Sequence, residues 1–206
     1  MRTGDPVVRV QSLEKIFEGN VRAVDSVSFE VGEGEVFGFL GPNGAGKTTT
    51  ISILTTLMLP TNGKAEILGH DVVLEPGMVR KAIGLVPQDL TSDDELTGRE
   101  NMELKSRLYG VRMSEAQKRI DELLHLVGLV DAQDRIVKTY SGGMKKRLEF
   151  ANGLVHNPRI LFLDEPTLGL DIQTRTSIWE HIRKLRSETN MTIFLTTHYL
   201  EEADGL

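Results

Sequence analysis

The stretch Gly41, Pro42, Asn43, Gly44, Ala45, Gly46, Lys47, Thr48 and Thr49 constrains this chain more than any other. It follows the apolar run Glu35–Leu40 and precedes a helical segment ending near Pro60. That is the strand–loop–helix context of the phosphate-loop pattern G-x-x-x-x-G-K-[ST]. Glycines let backbone N–H groups turn inward around a phosphate, and the helix start adds partial positive charge. Lys47 is expected to reach β- and γ-phosphates, and the Thr48 hydroxyl to ligate Mg²⁺. A chance match to the pattern in a chain this long is on the order of one per cent from residue frequencies.

A parallel sheet is the expected surrounding. Besides Glu35–Leu40, the runs Ala82–Val86, Arg159–Asp164 and Thr192–Thr197 are short, apolar and bounded by turns or helices, and read as buried strands covered on both faces. Val7–Leu13 and Ala23–Val31 alternate instead and predict an antiparallel start. From about Thr97 to His156 the pattern is helical. Thr97 to Glu100 is a candidate capping box, and Ser114 to Gln117 another. Ile120, Leu123, Leu124 and Val127 form one stripe that Gly128 should end. A third helix runs from near Ser141 to His156, with Met144, Leu148, Ala151 and Val155 on one face.

Two further groups carry chemistry. Asp164 and Glu165 close a buried strand, at the sheet edge where ligands bind in open α/β folds. Asp164 is expected at Mg²⁺, and Glu165, the next residue, at an attacking water as general base. Alone, such carboxylates would as readily cap the segment after a strand. Ser141, Gly142 and Gly143 open a helix whose glycines would let a phosphate approach closely; the structural alternative is a plain serine N-cap. Lys145–Arg147 reads as a solvated helix face and Trp179, in helical spacing with Ile178, Ile182 and Leu185, as packing.

Bulk properties remove several function classes. A net charge of −6 implies no broad nucleic-acid surface. The absence of cysteine removes disulfides and thiolate metal sites. No stretch approaches the roughly 20 apolar residues of a membrane span. The final residues, "THYLEEADGL", follow a strand with about one helical turn, from which a sheet cut short at the C-terminus is expected.

Taken in order, these motifs resemble the ATP-binding cassette family, the nucleotide-binding subunits of ABC transporters. Gly41–Thr49 is similar to its Walker A motif, Gln88 to the Q-loop glutamine and Ser141-Gly142-Gly143 to the signature motif. Ile160–Glu165 is similar to Walker B with its catalytic glutamate, Leu168–Asp171 to the D-loop, and His198 to the switch histidine that contacts the γ-phosphate. Phe17 falls where the family places an aromatic stacked on adenine. The usual motif begins with Leu and ends with Gln, where this chain has Tyr140 and Met144. That form, with "LTTHYLEEAD", is similar to the drug-resistance exporter branch.

The resemblance implies an α/β fold: a P-loop NTPase (RecA-like) core, an N-terminal antiparallel β-subdomain and a helical insertion subdomain. One ABC ATPase domain would then span residues 1–206, with 1–90 and 155–206 forming the core and about 90–154 the helical part. It implies ATP and Mg²⁺, with Lys47, Gln88, Glu165 and His198 catalytic and Thr48, Gln88 and Asp164 around the metal. It implies a head-to-tail dimer in which Ser141–Gly143 of one copy meets the γ-phosphate held by the other. A separate transmembrane permease exporting drug, lipid or polysaccharide would place the chain at the cytoplasmic membrane face, with no membrane insertion of its own. Two alternatives stay open: a soluble non-transport cassette ATPase, and an ATP-binding regulatory module without turnover.

Overall fold

The computed structural model describes residues 5–198. In chain order the elements are β1 (Val8–Phe17), β2 (Val21–Val31), β3 (Val36–Leu40), α1 (Lys47–Leu54), β4 (Asn62–Ile67), β5 (His70–Asp71), α2 (Pro76–Ala82), β6 (Ile83–Val86), α3 (Gly98–Leu108), α4 (Met113–Leu126), α5 (Gly142–Leu154), β7 (Ile160–Asp164), α6 (Ile172–Thr189) and β8 (Thr192–Thr197). They form two four-stranded sheets. One is antiparallel in the order β2-β1-β4-β5, and the other parallel in the order β3-β8-β7-β6.

The central strands of the parallel sheet are buried on both sides, their middle positions Ile160–Leu163 and Ile193–Leu195 being apolar and only their ends polar. Successive side chains of a strand face opposite ways. Leu161, Leu163, Ile193 and Leu195 therefore join one core cluster, with residues of α3, α4, α5 and α6. Ile160, Phe162 and Phe194 join the other, with α1 and the antiparallel sheet. Phe29 of β2 stacks on Phe37 of β3 (5.3 Å between centroids), and Phe37 and Phe162 both meet Phe194 at 5.2 Å. This aromatic group joins the two sheets.

Several sequence expectations need correction. β3 is not a buried strand: among the described residues it pairs with β8 alone, and Leu40 is 41% exposed. β4 and β5 escaped the sequence reading because Asn62-Gly-Lys-Ala-Glu-Ile67 has a polar first half. β4 is held in place by its pairing with β1. The box at Thr97 forms as expected, Thr97 Oγ1 accepting from the Glu100 N–H and Glu100 from the Thr97 N–H. The one at Ser114 does not, because α4 already starts at Met113 after Arg112, with no side-chain cap. Gly128, at φ +63°, ends α4 as expected. The helical turn expected after His198 lies outside the described residues.

The link between α3 and the parallel sheet includes a half-buried histidine. The His156 ring stacks on Tyr109 at 3.7 Å and 2°, and Nε2 lies 2.7 Å from the Ile83 carbonyl, to which it donates. Burial pushes its pKa below the ordinary value, against the pull of that carbonyl. His181 is lowered too, by burial first and then by Arg147. The unfolded chain therefore takes up these protons before the folded one. Their contribution to stability is whole above the ordinary histidine pKa and falls as pH drops below it. We expect Tm to fall between about pH 7.5 and 5.5, and the fall to be smaller in His156→Gln; scanning calorimetry at both pH values checks this.

Candidate functional site

Four strands of the parallel sheet end on one edge. The registers Leu40↔Thr197, Thr196↔Asp164 and Leu163↔Val86 bring the residues that follow each strand side by side. These are the phosphate loop after β3, His198 after β8, Glu165 after β7 and Gln88 after β6.

The loop depends on its glycines. Gly44 and Gly46 have φ of +81° and +84°, and a Cβ on Gly46 would lie 2.1 Å from the Ala23 carbonyl oxygen. Glycine meets both demands: left-handed backbone, and close approach to β2. Gly46 caps α1, whose first backbone bond from this turn is Thr50 N–H to Gly46 O (2.8 Å). The N–H groups of Lys47, Thr48 and Thr49 thus have no partner within the helix and face outward as an anion-binding set.

Lys47 is buried although charged. Its Nζ donates to the carbonyls of Gly41 (2.7 Å) and Pro42 (3.1 Å) and pairs with Glu165 Oε1 at 3.2 Å. The other carboxylate oxygen, Oε2, lies 2.9 Å from His198 Nδ1. A carboxylate only accepts, so Nδ1 carries the proton. Glu165 itself sits at φ +49°, a left-handed conformation that strains a non-glycine residue. Its N–H donates to Thr196 Oγ1 at 3.0 Å, and that hydroxyl donates to Asp164 Oδ1 at 2.7 Å. Thr48 Oγ1 donates to the same Asp164 oxygen at 3.2 Å. Lys47, Glu165 and His198 thus form one line, and Thr48, Asp164 and Thr196 a second beside it.

A cavity of about 310 Å³ opens over these residues, lined by Ala23, Asn43, Gly44, Gly46, Lys47, Thr48, Thr49, Gln88, Glu165 and Leu168. A smaller one of about 200 Å³ adjoins it and shares Thr48 and Gln88, with Asp164 in its wall. The residue set fits a magnesium nucleotide. Backbone N–H groups and Lys47 suit phosphate, and the hydroxyl–carboxylate pair of Thr48 and Asp164 supplies hard oxygen ligands. Among the described residues no three His, Asp or Glu side chains gather as a metal site. Mg²⁺ bound beside phosphates needs no such group. A larger cavity, about 690 Å³, lies between α4 and α6, away from the phosphate loop.

The model of the ABC transporter family matches residues 24–168, which include the loop, Gln88, the Ser141 turn and Glu165. The chain belongs to that family. It is 48% identical over 207 residues to the doxorubicin resistance ATP-binding protein DrrA of Mycobacterium tuberculosis (strain ATCC 25618 / H37Rv), covering 100% of this chain and 62% of that protein. It is 47% identical to the daunorubicin/doxorubicin resistance ATP-binding protein DrrA of Streptomyces peucetius, covering 97% and 60%. The chain thus spans somewhat under two thirds of the length of these relatives. Its fold is that of ABC ATPase domains. A dimeric, post-hydrolysis ATP-binding cassette bound to ADP and Pi superposes with a TM-score of 0.86 at 29% identity, over 96% of this chain and 90% of that one. CbiO1 of Clostridium perfringens, part of the ABC transporter complex CbiONQ, gives 0.82 at 28%, over 95% and 79%.

Not every cassette motif meets the cavity. Ser141 caps α5, accepting from the Met144 N–H at 3.2 Å, and neither it nor Gly142 nor Gly143 lines the phosphate cavity. Gly142 faces open space, whereas a Cβ on Gly143 would lie 2.8 Å from Thr174 Oγ1 of α6. Thr174 also binds Asp171, its N–H and Oγ1 donating at 2.9 and 2.8 Å, and these bonds pull the Asp171 pKa down. The Asp171 cap and the Ser141–Gly143 turn are therefore neighbours. Phe17 ends β1, 41% exposed with Lys15 Nζ 5.3 Å from its ring centroid, and does not line the cavity. Trp179 packs in the core as expected. Lys145–Arg147 is not the solvated face expected. Lys146 is buried, Lys145 pairs with Asp94 at 2.6 Å and Arg147 donates to the Val127 carbonyl at 2.7 Å. Sequence reasoning missed Thr196; a hydroxyl residue near the end of an apolar strand beside Asp164 was the available signal.

Proposed function

We propose that this chain hydrolyses ATP as the nucleotide-binding subunit of an ABC transporter. Two copies would close head to tail around ATP and drive a separate permease of exporter type. The observation that carries this is the line Lys47–Glu165–His198 beside the Thr48–Asp164 pair, under the phosphate loop. Relatives named for doxorubicin and daunorubicin resistance support the export role, and a dimeric neighbour bound to ADP and Pi supports both hydrolysis and pairing.

The loop N–H groups and Lys47 would hold the phosphates. Mg²⁺, held by Thr48 and Asp164 with Gln88 beside them, would neutralise charge on the phosphate oxygens. Lys47 turning to phosphate would free Glu165 Oε1. That oxygen would accept a proton from water as the water oxygen bonds the γ-phosphorus and the bond to the bridging oxygen of ADP breaks. His198 would keep Oε2 oriented and stand on the γ-phosphate side. Ser141, Gly142 and Gly143 would complete the cavity of the other copy, and Phe17 would stack on the base. In the described residues no helix is long and apolar enough to cross a membrane, so contact with the bilayer would come through the permease. Phosphate release by the purified chain tests the activity. We expect equal ADP and phosphate from Mg-ATP; bound ATP that is never cleaved would remove the catalytic reading.

A further inference from the structure

The face of α5 that packs under β6 is polar where an apolar stripe would have served. Lys146, Glu149 and Asn152 recur at intervals of three and are 7%, 1% and 3% exposed. A buried charge is costly unless its hydrogen bonds are met. For Lys146 and Glu149 they are met by a single segment, Pro87–Ser92, while Asn152 Oδ1 is buried without a hydrogen-bond partner among the described residues. Lys146 Nζ donates to the carbonyls of Pro87 (3.1 Å) and Gln88 (2.6 Å). Glu149 accepts from the Thr91 N–H (2.7 Å), Thr91 Oγ1 (3.0 Å) and both the N–H and Oγ of Ser92. Asn152 Nδ2 donates to Ser92 Oγ at 3.1 Å. Further along, Asp93 exchanges bonds with Asn101 of α3, its N–H donating at 2.8 Å and its carbonyl accepting at 2.9 Å.

The segment so held carries Gln88, which lines both cavities. The helix that holds it begins with Ser141–Gly143. At 1.5 Å per residue, Glu149 lies only about 9 Å along the axis from Gly143. We infer that Lys146 and Glu149 are positioning residues that strap the Gln88 segment to α5, so that Gln88 and the Ser141–Gly143 turn shift together as one unit. Buried polar contacts of this kind hold one arrangement where apolar packing would tolerate slippage. The part that concerns catalysis rests on the ATPase reading above.

The test combines amide hydrogen exchange with kinetics of Glu149→Ala and Lys146→Met; the second keeps its apolar stem and guards against a variant that fails to fold. In Glu149→Ala we expect faster exchange at the Thr91 and Ser92 amides, ATP affinity within about threefold of wild type, and kcat lower by about 10–100-fold, since a misplacement near 1 Å can cost that much. Glu149→Ala added to Gln88→Ala should lower kcat by less than about twofold more, because both would remove the same function. Glu149→Asp should recover part of kcat. Unchanged exchange at Thr91 and Ser92 overturns the strap whether or not the chain hydrolyses ATP. Additive losses with Gln88→Ala, or loss of ATP affinity in place of kcat, overturn the positioning role. A wild-type chain without turnover would refute the ATPase reading instead, and the exchange result would still decide the strap.

Discussion

Glu165→Gln is expected to lower Mg-ATP turnover by about 10²–10⁴-fold, the range of a general base, while ATP affinity holds or rises. The second half of that expectation comes from Lys47. In this structure Lys47 Nζ is engaged by Glu165 Oε1 at 3.2 Å, in a site where both side chains are almost fully buried. On the proposed reading, phosphate would compete with that carboxylate for the lysine. Glutamine keeps the shape and a carbonyl oxygen but removes the competing charge. Turnover falls because an amide cannot take the proton of the attacking water. Single-turnover phosphate release and equilibrium binding of a fluorescent ATP analogue separate the two effects. Undiminished turnover would exclude Glu165 as the base.

Lys47→Ala is expected to act on binding first. Truncating one partner of a buried, hydrogen-bonded charge pair costs about 2–5 kcal/mol, and about 1.4 kcal/mol is tenfold in affinity. Removing Nζ leaves Glu165 with one fewer cationic neighbour and strips the Gly41 and Pro42 carbonyls of their donor. ATP affinity should fall by roughly 30-fold or more, and turnover below detection. Lys47→Arg should not restore it, because a planar guanidinium fork cannot replace a compact ammonium in so tight a setting. Isothermal titration with ATP and with ADP measures the loss; equal affinity in Lys47→Ala would refute the phosphate assignment.

What the sequence revealed, and what it hid, divides along physical lines. Asp164 and Glu165 were legible because the four-residue apolar run Ile160–Leu163 announces a buried strand and they stand at its end. The loop was legible because Gly41, Gly46, Lys47 and Thr48 have a fixed spacing that answers one chemistry. β4 was hidden because its identity as a strand comes from pairing with β1, a long-range effect absent from its composition. Lys146 and Glu149 were hidden for a related reason. Charged residues on a helix usually face solvent, and nothing local says that Pro87–Ser92 will lie against them. The left-handed backbone of Glu165 was equally silent, since it arises from the turn between β7 and α6. The Ser141 turn stands between these cases: its motif was plain, but within one chain it does not line the phosphate cavity.

That separation makes the mass in solution decisive for whether two copies share the site. Light scattering of Glu165→Gln, with ATP occupancy checked in the same sample, reports the mass in solution with and without Mg-ATP. A site shared between copies requires the mass of one chain without nucleotide and of two chains with it, as Ser141–Gly143 of each copy closes on the ATP of the other. A chain that is saturated with ATP and keeps the mass of one chain would contradict the shared site.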